Sequence, residues 1–291
     1  MSVLKPKDIA KVFSDSAFDK NGHSTARLLV LSILGGAFIA LGFMLAILVA
    51  GGSPKLAANN PGLKSFILGA TFPIGFIMCV IGGGEIFTSA CAAMPMPLLR
   101  KQTGIGPVLR VWGLVYAGNF IGGLMTAWLF TQQTGIFPEG SAALHTLIHI
   151  AEHKVGILPE QADEAHFWVT FVKGMGANWM VCMAAWMAYS AKDTFGKVIA
   201  IWIPVMTFVA FGFEHCVANM YVIPAAILQG AHISWTQFIT DNLIAATLGN
   251  IVGGFLFVGL AYWFIYLKKE DEKLDHKQFS AVNPEGELIK K

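Results

Sequence analysis

Charged residues are scarce in this chain. Asp, Glu, Lys and Arg make up 13% of its 291 residues, whereas they make up about a quarter of an average soluble domain. Residues 28–50, 111–131 and 242–267 contain none of them, and each stretch is long enough to cross roughly 30 Å of hydrocarbon. This scarcity excludes an ordinary soluble protein. It predicts an integral membrane protein that is surrounded by lipid and has no nucleic-acid partner.

Cysteines are also few, and they lack the spacing of a binding site. The four of them lie in apolar segments without the close pairing of zinc sites or disulfide frameworks. We interpret them as small packing residues and expect neither a metal nor another cofactor. We also expect no signal peptide, since residues 1–26 are polar and mixed in charge. The cysteines are Cys79, Cys91, Cys182 and Cys216.

The apolar segments predict six membrane spans, of which the second and fifth are broken. If the N-terminus is cytoplasmic, sixteen Lys and Arg lie on the cytoplasmic side and three on the other, with Lys173 inside a span. This asymmetry follows the positive-inside rule. It predicts a multi-pass protein of the cell inner membrane with both termini in the cytoplasm. The predicted spans are residues 27–50, 63–100, 106–133, 165–191, 197–229 and 236–268.

One short motif occurs twice. Residues 118–123 (GNFIGG) return as residues 249–254 (GNIVGG), 131 positions later. Because each half holds three spans, the second half must cross the membrane in the opposite direction. The sequence therefore predicts an all-α fold of six transmembrane helices in two inverted three-helix repeats. We interpret Asn119 and Asn250, within the motif, as close-packing positions.

The regions flanking the channel domain (residues 27–268) are polar. Residues 1–26 suggest an amphipathic cytoplasmic helix with one apolar face. Residues 269–291 are charged and predict a disordered cytoplasmic tail. The predicted apolar face of the N-terminal helix consists of Ile9, Val12, Phe13 and Ala17.

Each half also has a broken span with polar residues at the break. Residues 82–89 (GGGEIFTS) and 211–219 (FGFEHCVAN) interrupt apolar segments, and backbone groups freed there need protein or a watery cavity around them. Two breaks at corresponding places predict a path for a solute. His215 is the natural proton carrier, since imidazole changes charge near neutral pH. Glu214 either faces the path or only ties down amides at the helix end.

The motifs at residues 84–89 (GEIFTS), 173–182 (KGMGANWMVC) and 213–220 (FEHCVANM) resemble those of the formate/nitrite transporter family, in order and spacing, over about residues 5–268. The resemblance implies an aquaporin-like protomer in a homopentamer, with one pore per subunit. It implies passage of small monovalent anions or their conjugate acids, formate foremost, nitrite or hydrosulfide otherwise. It also implies a channel or transporter and not an enzyme.

The resemblance assigns roles to ten positions, and we add Glu214 to the central group because it adjoins His215 in an apolar span. A central group comprises the family's histidine with its threonine and asparagine neighbours. Two apolar constrictions lie outside and inside it, and a lysine lies in the outer vestibule. The central residues are His215, Thr88, Asn178 and Glu214, the outer constriction is Phe72 and Phe208, the cytoplasmic one is Phe76, Ile86, Phe87 and Val181, and the vestibule lysine is Lys154.

Two positions depart from the family pattern. About eight extra residues separate the Lys154 segment from Asn178, and Phe76 replaces a smaller aliphatic residue. An apolar constriction opposes a bare anion much more than a neutral acid. We therefore expect the anion to reach Thr88 and the freed amides, and His215 to provide a proton or its field.

Three other functions remain open from the sequence. An aquaporin-like channel for a neutral solute would normally carry paired Asn-Pro-Ala half-helices, which this chain lacks. His145, His149 and His153 have helical spacing that could bind a metal, in a binding protein or membrane enzyme. A purely regulatory membrane protein is the last alternative.

Overall fold

A computed structural model describes residues 3–161 and 166–273 of the chain, and within these ranges the regular structure is helical with no strand. The predicted all-α class is confirmed. Within the described ranges, eleven helices carry the fold. They are α1 (Pro6–Asp19), α2 (Thr25–Gly51), α3 (Pro54–Asn59), α4 (Pro61–Gly82), α5 (Phe87–Leu99), α6 (Ile105–Gln132), α7 (Ala142–Val155), α8 (His166–Ser190), α9 (Thr194–Ala210), α10 (Cys216–Leu228) and α11 (Trp235–Tyr266).

The ends of the helices follow from local sequence. Ser24 accepts a hydrogen bond from the amide of Arg27 at the start of α2, and Asp193 accepts one from Gly196 at the start of α9. Ser234 and Gln237 form a capping box at the start of α11. These side chains satisfy amides that a helix cannot bond internally. The helix boundaries therefore fall within a few residues of those read from hydropathy.

Four helices of the described chain, α2, α4, α6 and α11, are long and apolar enough to cross a membrane. Helix α8 has 25 residues but is less apolar, because it carries Lys173 and Asn178. The remaining apolar helices, α5, α9 and α10, have 10 to 17 residues each. Helices α4 and α5 occupy the second predicted span, and α9 and α10 occupy the fifth.

Two long helix pairs form the framework of the core. Helix α2 packs along α6, and α8 packs along α11. Small residues line both contacts: Gly122 of α6 lies against the Ile33 carbonyl, and Gly253 of α11 against the Met175 carbonyl. The backbones approach closely because neither glycine carries a side chain. Half-helices α5 and α10 are enclosed by these pairs and are almost wholly buried.

Both broken spans turn at a left-handed glycine. Gly83 follows α4 with φ +92°, and Gly212 follows α9 with φ +67°. Residues with side chains rarely adopt such angles, so glycine is required at the turn. The chain then runs extended through Ile86 and His215 before a new helix begins. The two breaks therefore have the same local design.

The N-terminal helix is docked rather than free. Helix α1 buries Ile9, Ala10, Phe13, Ser14 and Ala17. The prediction was wrong for Val12, which is 41% exposed. It lies outside the buried face, about 100° around the helix from Phe13.

The predicted disordered tail is wrong for its first residues, because 269–273 are helical. Glu270 contacts Lys11 at 2.8 Å, and Asp271 contacts Arg100 at 3.3 Å. Ion pairing with α1 and with the end of α5 orders a segment that is too polar to fold by burial. The rest of the predicted tail lies outside the described residues.

Candidate functional site between two broken helices

Two asparagines hold the breaks in position. The Oδ1 atom of Asn119 accepts from the Phe87 amide, and that of Asn250 accepts from the Cys216 amide, both at 2.8 Å. The Nδ2 atom of Asn119 donates to the Glu85 carbonyl and that of Asn250 to the Glu214 carbonyl. Each asparagine thus replaces the hydrogen bonds that its broken helix has lost. Their interpretation as packing positions is correct as far as it goes, but it misses this bonding.

The structure brings His215 and Thr88 into direct contact. The Nε2 atom of His215 lies 3.0 Å from Oγ1 of Thr88. On the other side of the ring, Nδ1 accepts a hydrogen bond from the Ala218 amide at 3.0 Å. An accepting Nδ1 carries no proton, so the neutral ring bears its proton on Nε2, directed at Thr88. His215 therefore joins the two half-helices at their N-terminal ends.

Asn178 lies beside Thr88 but points away from the imidazole. Its Nδ2 atom donates to the carbonyls of Thr88 and Asn250, at 3.0 and 2.6 Å. The Cys182 thiol bonds the same Thr88 carbonyl at 3.4 Å. These contacts anchor α5 to α8 and α11. The central role predicted for Asn178 stays a prediction, and its visible contacts are those of a positioning group.

A cavity of about 240 Å³ reaches His215, and it is called the outer cavity because the predicted outer constriction borders it. Phe72 and Phe208, the predicted outer constriction, both border it, with ring centroids 5.8 Å apart in an edge-to-face contact. The Phe208 ring also stacks on the imidazole at 5.7 Å. An apolar pair thus lies in the cavity wall beside the histidine.

A buried ion pair lies in the wall of the outer cavity. The Nζ atom of Lys154 contacts Oε2 of Glu214 at 2.9 Å, with side chains 10% and 5% exposed. The same oxygen accepts from Asn219 at 2.7 Å and from Asn242 at 3.2 Å. The suggestion that Glu214 ties down backbone amides is wrong, because Asn250 and His215 perform that task. Since Glu214 precedes His215, the pair places charge next to the imidazole.

A second cavity, of about 340 Å³, approaches from the opposite side. Phe76 and Ile86 of the predicted cytoplasmic constriction border it. The Phe87 ring instead packs edge-on against Trp112 and Tyr116. Phe87 and Val181 border neither cavity, so their place in a constriction stays a prediction.

The inner cavity has an ion pair of its own. Lys20 contacts Glu85 at 2.5 Å, and both residues border the cavity. Burial acts to lower the pKa of Lys20, but the charge and hydrogen bond of Glu85 outweigh it and raise that pKa. Glu85 precedes α5 by two positions, as Glu214 precedes α10. Each half-helix therefore begins beside a lysine–glutamate pair.

The three histidines of the predicted metal site lie on α7, as their spacing suggests. His149 and His153 border the outer cavity, whereas His145 does not. Among the described residues, no group of three or more His, Cys, Asp or Glu side chains is arranged to hold a metal ion. The structure thus gives the metal-binding alternative no support.

Several site residues could not be identified from the sequence. Lys20 lies in the polar N-terminal region, and Asn242 at the start of an apolar span, so neither stands out. Asn219 appears in the FEHCVAN motif, and the four-residue step from His215 could have suggested its inward position. Glu85 lies in the first break but was read only as part of the turn.

Comparison with known proteins identifies the group to which the chain belongs. The sequence pattern of the formate/nitrite transporter family matches residues 7–264. The "Uncharacterized transporter YrhG" of Bacillus subtilis (strain 168) is 39% identical over 280 residues, covering 96% of this chain and 100% of that protein. The "Probable formate transporter" of Methanothermobacter thermautotrophicus is 38% identical over 273 residues, covering 92% and 99%.

A solved structure agrees with the sequence comparisons. The "Pentameric formate channel with formate bound" superposes with a TM-score of 0.72 at 32% identity, covering 84% of this chain and 98% of that one. The chain is thus a helical membrane protein of the channel and transporter class, not an enzyme. Together, the matched pattern, the relatives and the two breaks show that it belongs to the formate/nitrite transporter family.

Proposed function

We propose that the chain conducts small monovalent anions across the membrane, formate foremost and nitrite or hydrosulfide otherwise, as the neutral acid or together with a proton. One observation carries the proposal: His215 borders one cavity and bonds Thr88, whose neighbour Ser89 borders the other, and each cavity holds a lysine–glutamate pair. The names of two relatives support formate, since one is called a formate transporter and another a formate channel with formate bound.

The arrangement favours an anion that arrives charged and passes neutral. Lys64, which borders the outer cavity, and the N-terminal end of α10 create positive potential there, since helix N-termini favour anions. Between the cavities stand Phe72, Phe208 and Phe76, which offer a bare charge no compensation. Moving a carboxylate out of water without a partner costs a prohibitive free energy. The anion should therefore gain a proton before it enters the constriction.

The anion must contact His215 at its Nε2 face. Its Nδ1 atom is occupied by the Ala218 amide, and a proton there would break this cap. Nε2 and the Thr88 hydroxyl form the short donor chain that faces the path. In the proposed mechanism, this chain hydrogen-bonds the formate, and the proton that neutralises the formate comes from water in the cavity, which is left one proton poorer and exchanges with the bulk. His215 and Thr88 keep their own protons and end the step unchanged.

The remaining architecture is proposed on the same basis. The matched breaks and matched asparagine caps support two inverted three-helix repeats of an aquaporin-like protomer, with six spans, α4–α5 forming the second and α9–α10 the fifth. The charge asymmetry supports an inner-membrane location with cytoplasmic termini. The residue ranges 1–26, 27–268 and 269–291 then act as cytoplasmic helix, channel domain and tail. The pentameric solved relative supports a homopentamer.

Flux through purified protein in liposomes tests the function. We expect formate uptake well above that of protein-free vesicles, and faster with the outside more acidic than the lumen. Urea of similar size serves as the neutral control and should not pass above background. Rapid urea flux without formate flux would indicate a neutral-solute channel and contradict the proposal.

A further inference from the structure

Two histidines lie at the mouth of the outer cavity without a part in the proposed mechanism. His149 and His153 are one helical turn apart on α7, and both border the cavity that ends at His215. Both side chains are exposed at the rim. His145, one turn earlier on α7, is exposed as well but does not border the cavity. The helix thus directs two titratable groups at the path and one away from it.

The surroundings of this rim are mostly basic. Lys64 of α4 borders the same cavity, and Lys154 lies next to His153 in sequence. The pKa of His153 is lowered first by the partial burial of its ring and then by the charges of Lys173 and Lys154, while Glu214 acts in the opposite direction. Among the described residues, the charged or titratable groups that border this cavity with the two histidines are Lys64, Lys154, Glu214 and His215, and Lys173 acts on His153 through its charge.

Lys154 itself cannot serve as the collecting charge at the rim. Its ammonium group is paired with Glu214 and is buried. The negative charge of Glu214 cancels much of the positive potential that Lys154 would create at the cavity mouth. His149 and His153 have no ion-pair partner among the described residues. A proton on either ring therefore adds an uncompensated positive charge where anions first arrive.

We propose that His149 and His153, together with Lys64, form an acid-strengthened collecting site for small monovalent carboxylates and oxyanions at the outer mouth. The inference rests on the proposed function, because it assigns a further step to the same anion path. Imidazole in general is neutral at alkaline pH and cationic in acid. The proposed site therefore relies on Lys64 alone in alkaline solution and attracts anions more strongly as the outer solution becomes acidic.

The site acts on capture and not on the later transfer. Rim charges change the concentration of anion at the mouth, so they change the substrate concentration needed for half-maximal flux. The two rings are exposed, whereas Phe72 and Phe208 are buried, and the imidazole that bonds Thr88 is that of His215. The maximal flux should therefore depend on pH in the same way with and without the two histidines.

Formate uptake into liposomes, measured over a range of formate concentrations at outer pH 8 and pH 5 with a chelator present, tests this inference. Double replacement H149Q/H153Q should leave the half-saturating concentration unchanged at pH 8. At pH 5 it should raise this concentration about two- to fivefold, the size expected for two partly screened charges. Maximal flux should stay within about twofold of the unmodified protein, because the transfer step is unaltered.

Two further variants distinguish titration from structural damage. H149R/H153R carries fixed charge and should give low half-saturation at both pH values. H145Q lies on the same helix outside the cavity and should behave like the unmodified protein. If H149Q/H153Q keeps the pH dependence of half-saturation, the collecting site is refuted while formate transport stands. If the unmodified protein transports no formate, the proposed function fails instead.

Discussion

At the residue scale, the outer ion pair determines the charge that an arriving anion meets. Glu214 is 4% exposed. Its Oε2 atom accepts hydrogen bonds from Lys154, Asn219 and Asn242. Removing one partner of a buried pair leaves the other charge uncompensated, which is costly. The effect of replacing Lys154 should therefore depend strongly on whether Glu214 keeps its charge.

Lys154→Met tests this dependence. The variant leaves the Glu214 carboxylate facing the path without compensation, so formate uptake should fall at least about tenfold. The double variant K154M/E214Q removes both charges and retains a hydrogen-bonding group for the asparagines. Its uptake should exceed that of K154M alone. Uptake by the double variant at or below the single-variant level would show that the two residues act independently.

Asn250→Ala tests the capping of the second break. The replacement removes bonds to the Cys216 amide and to the Gly174 and Glu214 carbonyls. The expected loss is about 2 kcal/mol of stability, since hydrogen bonds in membrane proteins contribute roughly 0.6–1.7 kcal/mol each. Thermal unfolding in detergent measures this. Asn250→Asp keeps the oxygen that accepts from the Cys216 amide, so its stability should lie between those of Asn250→Ala and the unmodified protein. Equal stability of all three proteins would contradict the capping role.

Residue types explain which of these groups the sequence could predict. His215 and Thr88 are polar residues beside glycines in apolar spans, a pattern with few structural explanations. Asn119 and Asn250 lie in a glycine motif that packing alone accounts for, and their carbonyl and amide partners are distant in sequence. The Lys154–Glu214 pair joins residues 60 positions apart. No local sequence pattern predicts such a contact.

At the element scale, helix contacts through glycine set the distance between the framework helices. A Cβ atom on Gly122 would overlap the carbonyl oxygen of Ile33 in α2, whereas one on Gly113, in the same helix, would meet nothing within 4 Å. Gly122→Ala must therefore separate α6 from α2 or distort both.

This difference gives a matched pair of variants. Gly122→Ala should lower stability by about 2 kcal/mol or more, within the range for overpacked interiors. Gly113→Ala should be neutral or stabilising by up to about 1 kcal/mol, because alanine favours helix. Unfolding temperatures in the same detergent measure both. Equal destabilisation by the two variants would refute the close α2–α6 contact.

The docking of α1 depends on the segment that follows α11. Glu270 pairs with Lys11 and Lys7, and Asp271 and Asp15 both contact Arg100. The hydrogen bond from Lys11 lowers the pKa of Glu270 below its ordinary value of 4.5. A carboxylate with a depressed pKa contributes stability above its ordinary pKa and loses it as pH falls through the lowered value.

Limited proteolysis tests this docking. Cleavage within α1 should accelerate as pH falls below about 4.5, and at neutral pH in the variant E270Q/D271N. Glu272→Gln, in the same helical segment, is the control, because none of the ion pairs described here involves it. Unchanged cleavage of E270Q/D271N would show that apolar burial of Ile9 and Phe13 suffices to hold α1.

Hydropathy predicted the positions of the helices better than the contacts between them. The boundaries of α2, α6 and α11 follow from uncharged runs, and those of α4–α5 and α9–α10 from glycines. The helical order of residues 268–273 arises from charge pairing with α1 and α5, which composition does not reveal. The exposure of Val12 likewise depends on which side of α1 meets the rest of the protein.

At the scale of the whole molecule, the two halves converge on one contact. Each contributes a broken span, an asparagine cap and a lysine–glutamate pair, and the half-helices meet where His215 bonds Thr88. The duplicated motif predicted that the halves are alike. It could not predict which cavity each half lines, because the meeting of the halves is a property of the folded chain.

The proposed path therefore depends on the Nε2 proton of His215. His215→Phe preserves ring volume and the stacking on Phe208 but removes both nitrogens. His215→Asn is the companion variant, since asparagine can still cap the Ala218 amide without titrating. Assembly of both variants should be checked by size-exclusion chromatography.

Formate uptake driven by an inward proton gradient in liposomes is the most direct measurement. The unmodified protein should accelerate uptake when the outside is acidified, and both His215 variants should lose this acceleration while remaining assembled. The role of the imidazole would be contradicted if uptake by the variants rose with the proton gradient as steeply as uptake by the unmodified protein.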